Sequence, residues 1–297
     1  DASADQAVAA DGAPLDQGVA DLDPPEMALP DLGQPDQALP DLGLPDQALP
    51  DMALPDMALP DMALPEGPCP DDMVFVDEGA FPYGPDNARV DTAAYCIHRL
   101  EVTAGAFNAC ADAGGCAGYD QWPRCVEGHP QRPNQCNAER QAWPANWIDW
   151  FRADEYCRWI GGRLPSEYEW EKAARGFAGR AFPHGFELTC GDAHFGRGPV
   201  FAMCSGFDGL PDALVRPGSY PNALSSFGVL DMAGNVEEWV DIREDPARIP
   251  ADDEYGVTRG GSYTEAPEAM ATWAKDTLLG HGRTTAGHGF RCVMDPR

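Results

Sequence analysis

Cysteine and histidine are the side chains of this chain most able to do redox, nucleophilic or metal chemistry. There are ten of the first and six of the second, and no cysteine lies between Tyr263 and Cys292. A reactive thiolate needs a depressed pKa, supplied by neighbouring cations or a helix start. An even number of cysteines in a chain without a CxxC pair instead points to structural bridges and an oxidising compartment. Sequence neighbours suggest Cys110–Cys116, Cys125–Cys136 and Cys190–Cys204, among many possible pairings. The histidines carry no metal-ligand spacing. His281 and His288 are seven apart, His184 and His194 ten apart, and HExxH is absent. A GxSxG nucleophile elbow and a phosphate-cradling glycine loop are also absent. Carboxylates are so abundant that a chance pair is no argument for glycoside hydrolysis.

These residues must be positioned by the part of the chain beyond position 68. Residues 1–68 hold no Lys, Arg, aromatic residue or Cys, but fifteen Asp or Glu. From Pro30 they repeat every five residues as Pro-Asp-x-Ala/Gly-Leu and similar, ending in several Pro-Asp-Met-Ala-Leu units. Proline at every fifth position blocks helix and opposes sheet pairing. The expectation is a disordered acidic tether, reaching roughly 200 Å if fully extended. Residues 69–297 are expected to form one domain, large enough to bury its own core.

Within that domain, Met73–Val76 and residues 90–99 read as strands. Thr103 is a candidate N-cap for a helix stopping at Gly114-Gly115. Residues 116–146 read as a disulfide-held loop. Asp149 to Trp159 is an amphipathic helix with Trp150, Ala153, Cys157 and Ile160 on one face, ended by Gly161-Gly162. Ser166 and Glu169 form a capping box for a helix running to Arg175, which Gly176 stops. Short strands and dense Gly and Pro follow. The fold class expected is α+β, with little regular secondary structure.

Four segments occur in order: Gly161-Gly162-Arg163-Leu164-Pro165-Ser166-Glu167, Gly234-Asn235-Val236-Glu237-Glu238-Trp239, Gly260-Gly261-Ser262-Tyr263 and Gly289-Phe290-Arg291-Cys292. They resemble the formylglycine-generating enzyme (sulfatase-modifying factor) family from about Cys69 to Arg297. The resemblance implies an elaborated relative of the C-type lectin fold and a Cys157–Cys292 bridge, which beside the sequence-neighbour pairs leaves Cys69–Cys96. Enzymes of that family carry two active-site cysteines after the GGSY-like turn, and aligned from that turn the positions here are Glu265 and Met270. A second family bridge, from the capping-box helix to that loop, falls on Ala174 and Lys275. Asn235 and Glu238 match calcium-binding residues of the family. The turn around them offers carboxylate, amide and carbonyl oxygen, the ligand types calcium takes. A second calcium position falls on His194, a poor ligand for that ion. The resemblance places Ser262, Tyr263, Trp273 and Arg291 around the substrate groove, while Trp239 reads as core.

The net charge of −29, with no cluster of Lys and Arg, argues against nucleic acid as a partner. The expected partner is a protein, peptide or glycan. No apolar run reaches membrane-spanning length. Asp1-Ala2-Ser3-Ala4 is not a signal peptide, so an export signal is expected to have been processed off, with surface attachment through the tether. The overall expectation is an extracytoplasmic, non-catalytic domain, stabilised by calcium and without copper. The alternatives are a copper- and oxygen-dependent oxidase that converts cysteine to formylglycine in sulfatase-like targets, and a purely structural surface protein.

Overall fold

The computed structural model describes residues 67–118, 133–196, 214–243, 250–251, 254–282 and 284–297. They belong to a unit spanning Asp61–Arg297. The expected tether lies outside them apart from its last two residues.

Local capping signals set the three helices. Helix α1 (Ala104–Asp112) starts at Thr103, whose hydroxyl accepts from the Ala106 amide at 3.2 Å. It ends before Gly114-Gly115. Gly115 lies under the Trp159 ring, where a Cβ would come within 2.2 Å of Cδ1. Helix α2 (Trp150–Trp159) is capped by Asp149, which accepts from the Arg152 amide at 2.9 Å. Its buried face holds Trp150, Ala153 and Cys157, with Asp154 and Tyr156 added. Helix α3 (Glu167–Arg175) carries the full capping box. The Glu169 amide donates to Ser166 Oγ at 3.2 Å, and the Ser166 amide donates to Glu169 Oε2 at 2.8 Å. Such a cap contributes about 1 kcal/mol. Gly176, at φ 68°, terminates the helix as its lack of a Cβ permits.

The strands are short. β1 (Met73–Val76) pairs with β4 (Tyr95–His98), and β4 pairs with β9 (Val293–Met294), all antiparallel. β2 (Gly79–Tyr83) and β3 (Ala88–Thr92) form a separate hairpin. The single strand expected over residues 90–99 is therefore two strands, which break at Ala93-Ala94 because β3 turns to β2 and β4 to β1. The second sheet has the order β7 (Lys275–Leu279), β6 (Tyr255–Arg259), β5 (Glu237–Val240), β8 (His288–Gly289). In it β5 and β8 run parallel, with Glu237 opposite His288, and β5 and β6 run antiparallel, with Trp239 opposite Thr258. Residues 133–146 hold two short 3₁₀ turns. The result is a mixed α and β fold with little regular secondary structure. Among the described residues, no helix is long and apolar enough to cross a membrane.

The main core joins α1, α2 and the carboxyl end through Phe107, Trp150, Tyr156, Trp239 and Phe290. Trp239 is fully buried, and its indole donates to Ile148 O at 2.8 Å. The Cys157–Cys292 disulfide runs through this core and closes 135 residues. Chain-entropy reasoning assigns such a closure about 4–5 kcal/mol. Cys69–Cys96 and Cys110–Cys116 are also joined. Cys136 and Cys190 are disulfide-bonded as well. Their expected partners, Cys125 and Cys204, lie outside the described residues.

Candidate functional site

Strand β6 leads into Gly260 and Gly261, both at positive φ. A Cβ on Gly261 would strike Met270 Cε at 2.5 Å and Ala269 O at 2.9 Å. The turn therefore closes tightly on the 3₁₀ segment Pro267–Met270, as only glycine permits. Beyond it the Ser262 amide donates to Glu265 Oε2 at 2.6 Å, and the Glu265 amide donates to Ser262 O at 3.1 Å. Met270 is fully buried against Ala193, Phe195 and Ala233. The two side chains expected at the thiol positions thus do not converge. Glu265 lines a cleft, whereas Met270 is a core residue. A carboxylate and a sequestered thioether do not fit a soft copper(I) ion, which prefers paired thiolates.

The cleft has a volume of about 250 Å³, and Glu237, Thr258, Glu265, Ala274, Lys275 and Asp276 are among its lining residues. Glu237 is held from two sides. His288 Nε2 lies 3.0 Å from its Oε1, and Thr258 Oγ1 donates to its Oε2 at 2.7 Å. His288 Nδ1 accepts from the Thr285 amide at 3.2 Å, which leaves the ring proton on Nε2, facing Glu237. Burial raises the pKa of Glu265, and the negative charge of Glu237 raises it further. Lys275 Nζ is drawn to Glu167 Oε1 on α3 at 2.7 Å. An ion pair therefore ties α3 to β7, in the region where the family's second bridge falls on Ala174 and Lys275. The cleft is acidic, shaped to accept cations and hydrogen-bond donors.

The residues expected around the groove sit elsewhere. Arg291 is not a groove residue. It is fully buried, and its guanidinium makes two hydrogen bonds of 2.7 Å to Glu238 and others to the carbonyls of His98, Arg99, Leu230 and Asp231. Tyr263 is also packed inside, stacked on His194 with ring centroids 6.2 Å apart. Ser262 is buried against Gly287, with Oγ 3.0 Å from Thr264 Oγ1. Trp273 is half-buried under the Arg175 guanidinium, 5.0 Å from its ring. None of the four lines the cleft.

Nor do the side chains of Asn235 and Glu238 fit a calcium ion. Both Glu238 oxygens are occupied by Arg291, and Oε2 also accepts from the Trp170 indole at 2.7 Å. Asn235 Oδ1 accepts from the Val215 amide at 3.0 Å, and its Nδ2 donates to Glu101 at 2.9 Å. A metal ion would have to displace a guanidinium. His194 contributes its backbone, accepting from the Asn235 amide at 2.8 Å. Among the described residues no three His, Cys, Asp or Glu side chains converge as metal ligands.

The sequence reading missed Glu237, Thr258 and Asp276 as cleft residues. The alternation of a strand held the signal, because adjacent residues of β5 point to opposite faces. Glu237 therefore faces the cleft, and Glu238 faces Arg291.

A family profile described as "Sulfatase-modifying factor enzyme 1-like domain" matches residues 62–296. A formylglycine-generating enzyme of Thermomonospora curvata is 34% identical over 186 residues, covering 56% of this chain and 60% of the relative. A mouse (Mus musculus) protein named inactive C-alpha-formylglycine-generating enzyme 2 is 30% identical over 179 residues, covering 58% of this chain and 55% of the relative. The chain thus spans less than two thirds of the length of either relative. The solved structure of PvdO from Pseudomonas aeruginosa superposes with a TM-score of 0.57 at 24% identity, covering 77% of this chain and 97% of PvdO, and shares the fold.

Proposed function

The chain belongs to the sulfatase-modifying factor enzyme 1-like domain family, and on that premise we propose that it is a non-catalytic, extracytoplasmic member that binds a protein, peptide or glycan at the Glu265 cleft. One observation carries this reading: no cysteine lies between Tyr263 and Cys292, and of the residues that the resemblance puts at the two thiol positions, Glu265 is hydrogen-bonded to the Ser262 amide and Met270 is in the core. The mouse relative named inactive is a precedent for loss of activity within the family. The disulfides support an oxidising compartment. The acidic repeat acts as a spacer holding the domain away from a surface to which its amino end is attached. The ligand presents cationic or hydrogen-bond-donor groups to Glu237, Glu265 and Asp276.

The test is a peptide and glycan array probed with the full chain and with an Ala274→Trp variant that fills the cleft. Binding that the folded variant loses supports the reading. No binding, or binding equal in both proteins, contradicts it. The second reading, a copper- and oxygen-dependent oxidase that makes formylglycine, is favoured by the likeness to the Thermomonospora enzyme. It is opposed by the absence of any cysteine between Tyr263 and Cys292.

A further inference from the structure

Strand β7 is an edge of its sheet, with β6 on one side and no strand among the described residues on the other. Its register decides which backbone groups face the open side. Thr258 stands opposite Asp276 and Gly256 opposite Leu278. One step further along the same register, the Gly280 amide donates to Glu254 O at 3.0 Å. In an antiparallel ladder, residues bonded directly across alternate with residues whose N–H and C=O turn away. Gly280, Leu278 and Asp276 therefore bond to β6, and Lys275 and Thr277 present their amides and carbonyls outward. Both are exposed, and those four groups have no partner among the described residues. An open edge of this kind accepts another strand unless it is blunted. Lysine is one blunting device, but the Lys275 ammonium is drawn aside to Glu167 at 2.7 Å, and β7 contains no proline.

The two faces beside this edge differ in chemistry. Thr258 lies opposite both Asp276 and Trp239, and Glu237 is two residues from Trp239, so Glu237, Thr258 and Asp276 share one face. All three line the Glu265 cleft, which therefore runs across the sheet to its β7 edge. The cleft has three carboxylates, and its one cation, Lys275, is paired with Glu167. Burial first, then the charges of Glu237 and Asp276, raise the pKa of Glu265, as befits carboxylates crowded together without a free cation. The opposite face carries Lys275 and Thr277, with Tyr255 beside them on β6, 60% exposed.

We propose that the β7 edge takes an extended peptide as an added strand, antiparallel to β7, with a lysine or arginine side chain opposite Asp276 entering the Glu265 cleft. This rests on the reading of that cleft as a binding site and names its partner. The added strand lies about 4.8 Å from β7, and antiparallel pairing is the stronger ladder per residue. A residue opposite Asp276 points to the cleft face, where its cation meets Asp276 and Glu265. The residues on either side of it lie opposite Lys275 and Thr277, exchange main-chain hydrogen bonds with them, and turn their side chains toward Thr277 and Tyr255. The recognised segment therefore alternates, a basic residue flanked by β-branched or aromatic ones. A glycan has no such ladder to offer, so the edge selects peptide.

The experiment is isothermal titration calorimetry of the full chain with acetyl-Thr-Val-Thr-Val-Arg-Val-Thr-amide. Exchanging its arginine for glutamate is expected to weaken binding at least about tenfold. N-methyl groups on the two valines that flank the arginine, whose amides face β7, are expected to weaken it as much. The same groups on the arginine and the last threonine, whose amides face away, leave binding within about twofold. Thr277→Pro, which removes an amide that β6 does not use, is expected to abolish binding in a protein that still unfolds cooperatively. Should that variant fail to fold, the methylated peptides decide the matter on the wild type. Binding that Ala274→Trp abolishes, but that methylation of the valines leaves intact, overturns strand addition while keeping the cleft as a binding site. Equal binding of the arginine and glutamate peptides overturns the placing of a cation in the cleft. If the parent peptide does not bind, the proposal falls, and the array of peptides and glycans judges the cleft reading separately.

Discussion

Replacing Arg291 with methionine tests the buried pair that stands where the family resemblance placed calcium. Both oxygens of Glu238 accept from Arg291, and both side chains are buried to within 1%. In Arg291→Met the Glu238 carboxylate keeps only the Trp170 indole donor, and four backbone carbonyls lose their guanidinium partner. Removing one member of a buried pair costs about 3–5 kcal/mol. The nearby acids Glu101 and Asp231, both with pKa values raised by burial, move the expectation to the upper end. For a domain of this size 1 kcal/mol corresponds to roughly 2–4 °C in Tm, so a fall of about 10–20 °C is expected. The double change Arg291→Met, Glu238→Gln should recover more than half of it, because replacing both partners of a buried pair is far less costly than stranding one. Urea unfolding followed by tryptophan fluorescence and far-UV circular dichroism measures the loss, provided the two transitions coincide. EDTA should leave the wild-type midpoint unchanged. A loss below about 1 kcal/mol, or a wild-type midpoint that EDTA lowers and calcium restores, would refute the assignment of Glu238 to Arg291.

Glu171 is fully buried between Arg175 and Arg259, at 2.8 and 2.9 Å, so Glu171→Ala should cost about 3–5 kcal/mol in the same unfolding assay. The folded-state pKa of His98 is depressed from 6.5 to about 4, so the neutral ring favours the fold. Its contribution, about 3 kcal/mol, is fully present above pH 6.5 and is lost as pH falls toward 4. His98→Gln should flatten stability across that window, and an NMR titration of the ring should find the depressed pKa. Glu265 has the opposite sign. Its carboxyl pKa is raised above 4.5, first by burial and then by Glu237, so its ionisation weakens the fold as pH rises through that value. Glu265→Gln should therefore stabilise the protein at neutral pH and lose that advantage below pH 4.5, as thermal scans across pH would record. A thiol reagent applied to the denatured, unreduced protein should find none of the ten cysteines free.

What the sequence made legible was local. Thr103, Asp149 and the Ser166/Glu169 box each act over three residues, so the three helix starts could be placed from residue type and spacing. The split between β3 and β4 was hidden, because it depends on which distant strand each half joins. The candidate site shows the same division. Counting from the short, glycine-fixed GGSY-like turn singled out Glu265, and the structure finds that residue lining a cleft. Arg291 and Tyr263 were misjudged because burial of a cation or a phenol is decided by tertiary partners, here Glu238 and His194. Glu237 was missed because the strand pleat, which sends Glu237 and Glu238 to opposite faces, went unread.

The central claim is that the domain has the family fold without its thiol chemistry. The most direct test is an aerobic, copper-loaded assay on a peptide containing the sulfatase-type Cys-x-Pro-x-Arg target, read by mass spectrometry, with a Glu265→Cys, Met270→Cys variant beside the wild type. The account predicts unmodified cysteine in the peptide treated with wild-type protein, whatever the variant does. Formation of the aldehyde by the wild type would contradict it and restore the oxidase reading.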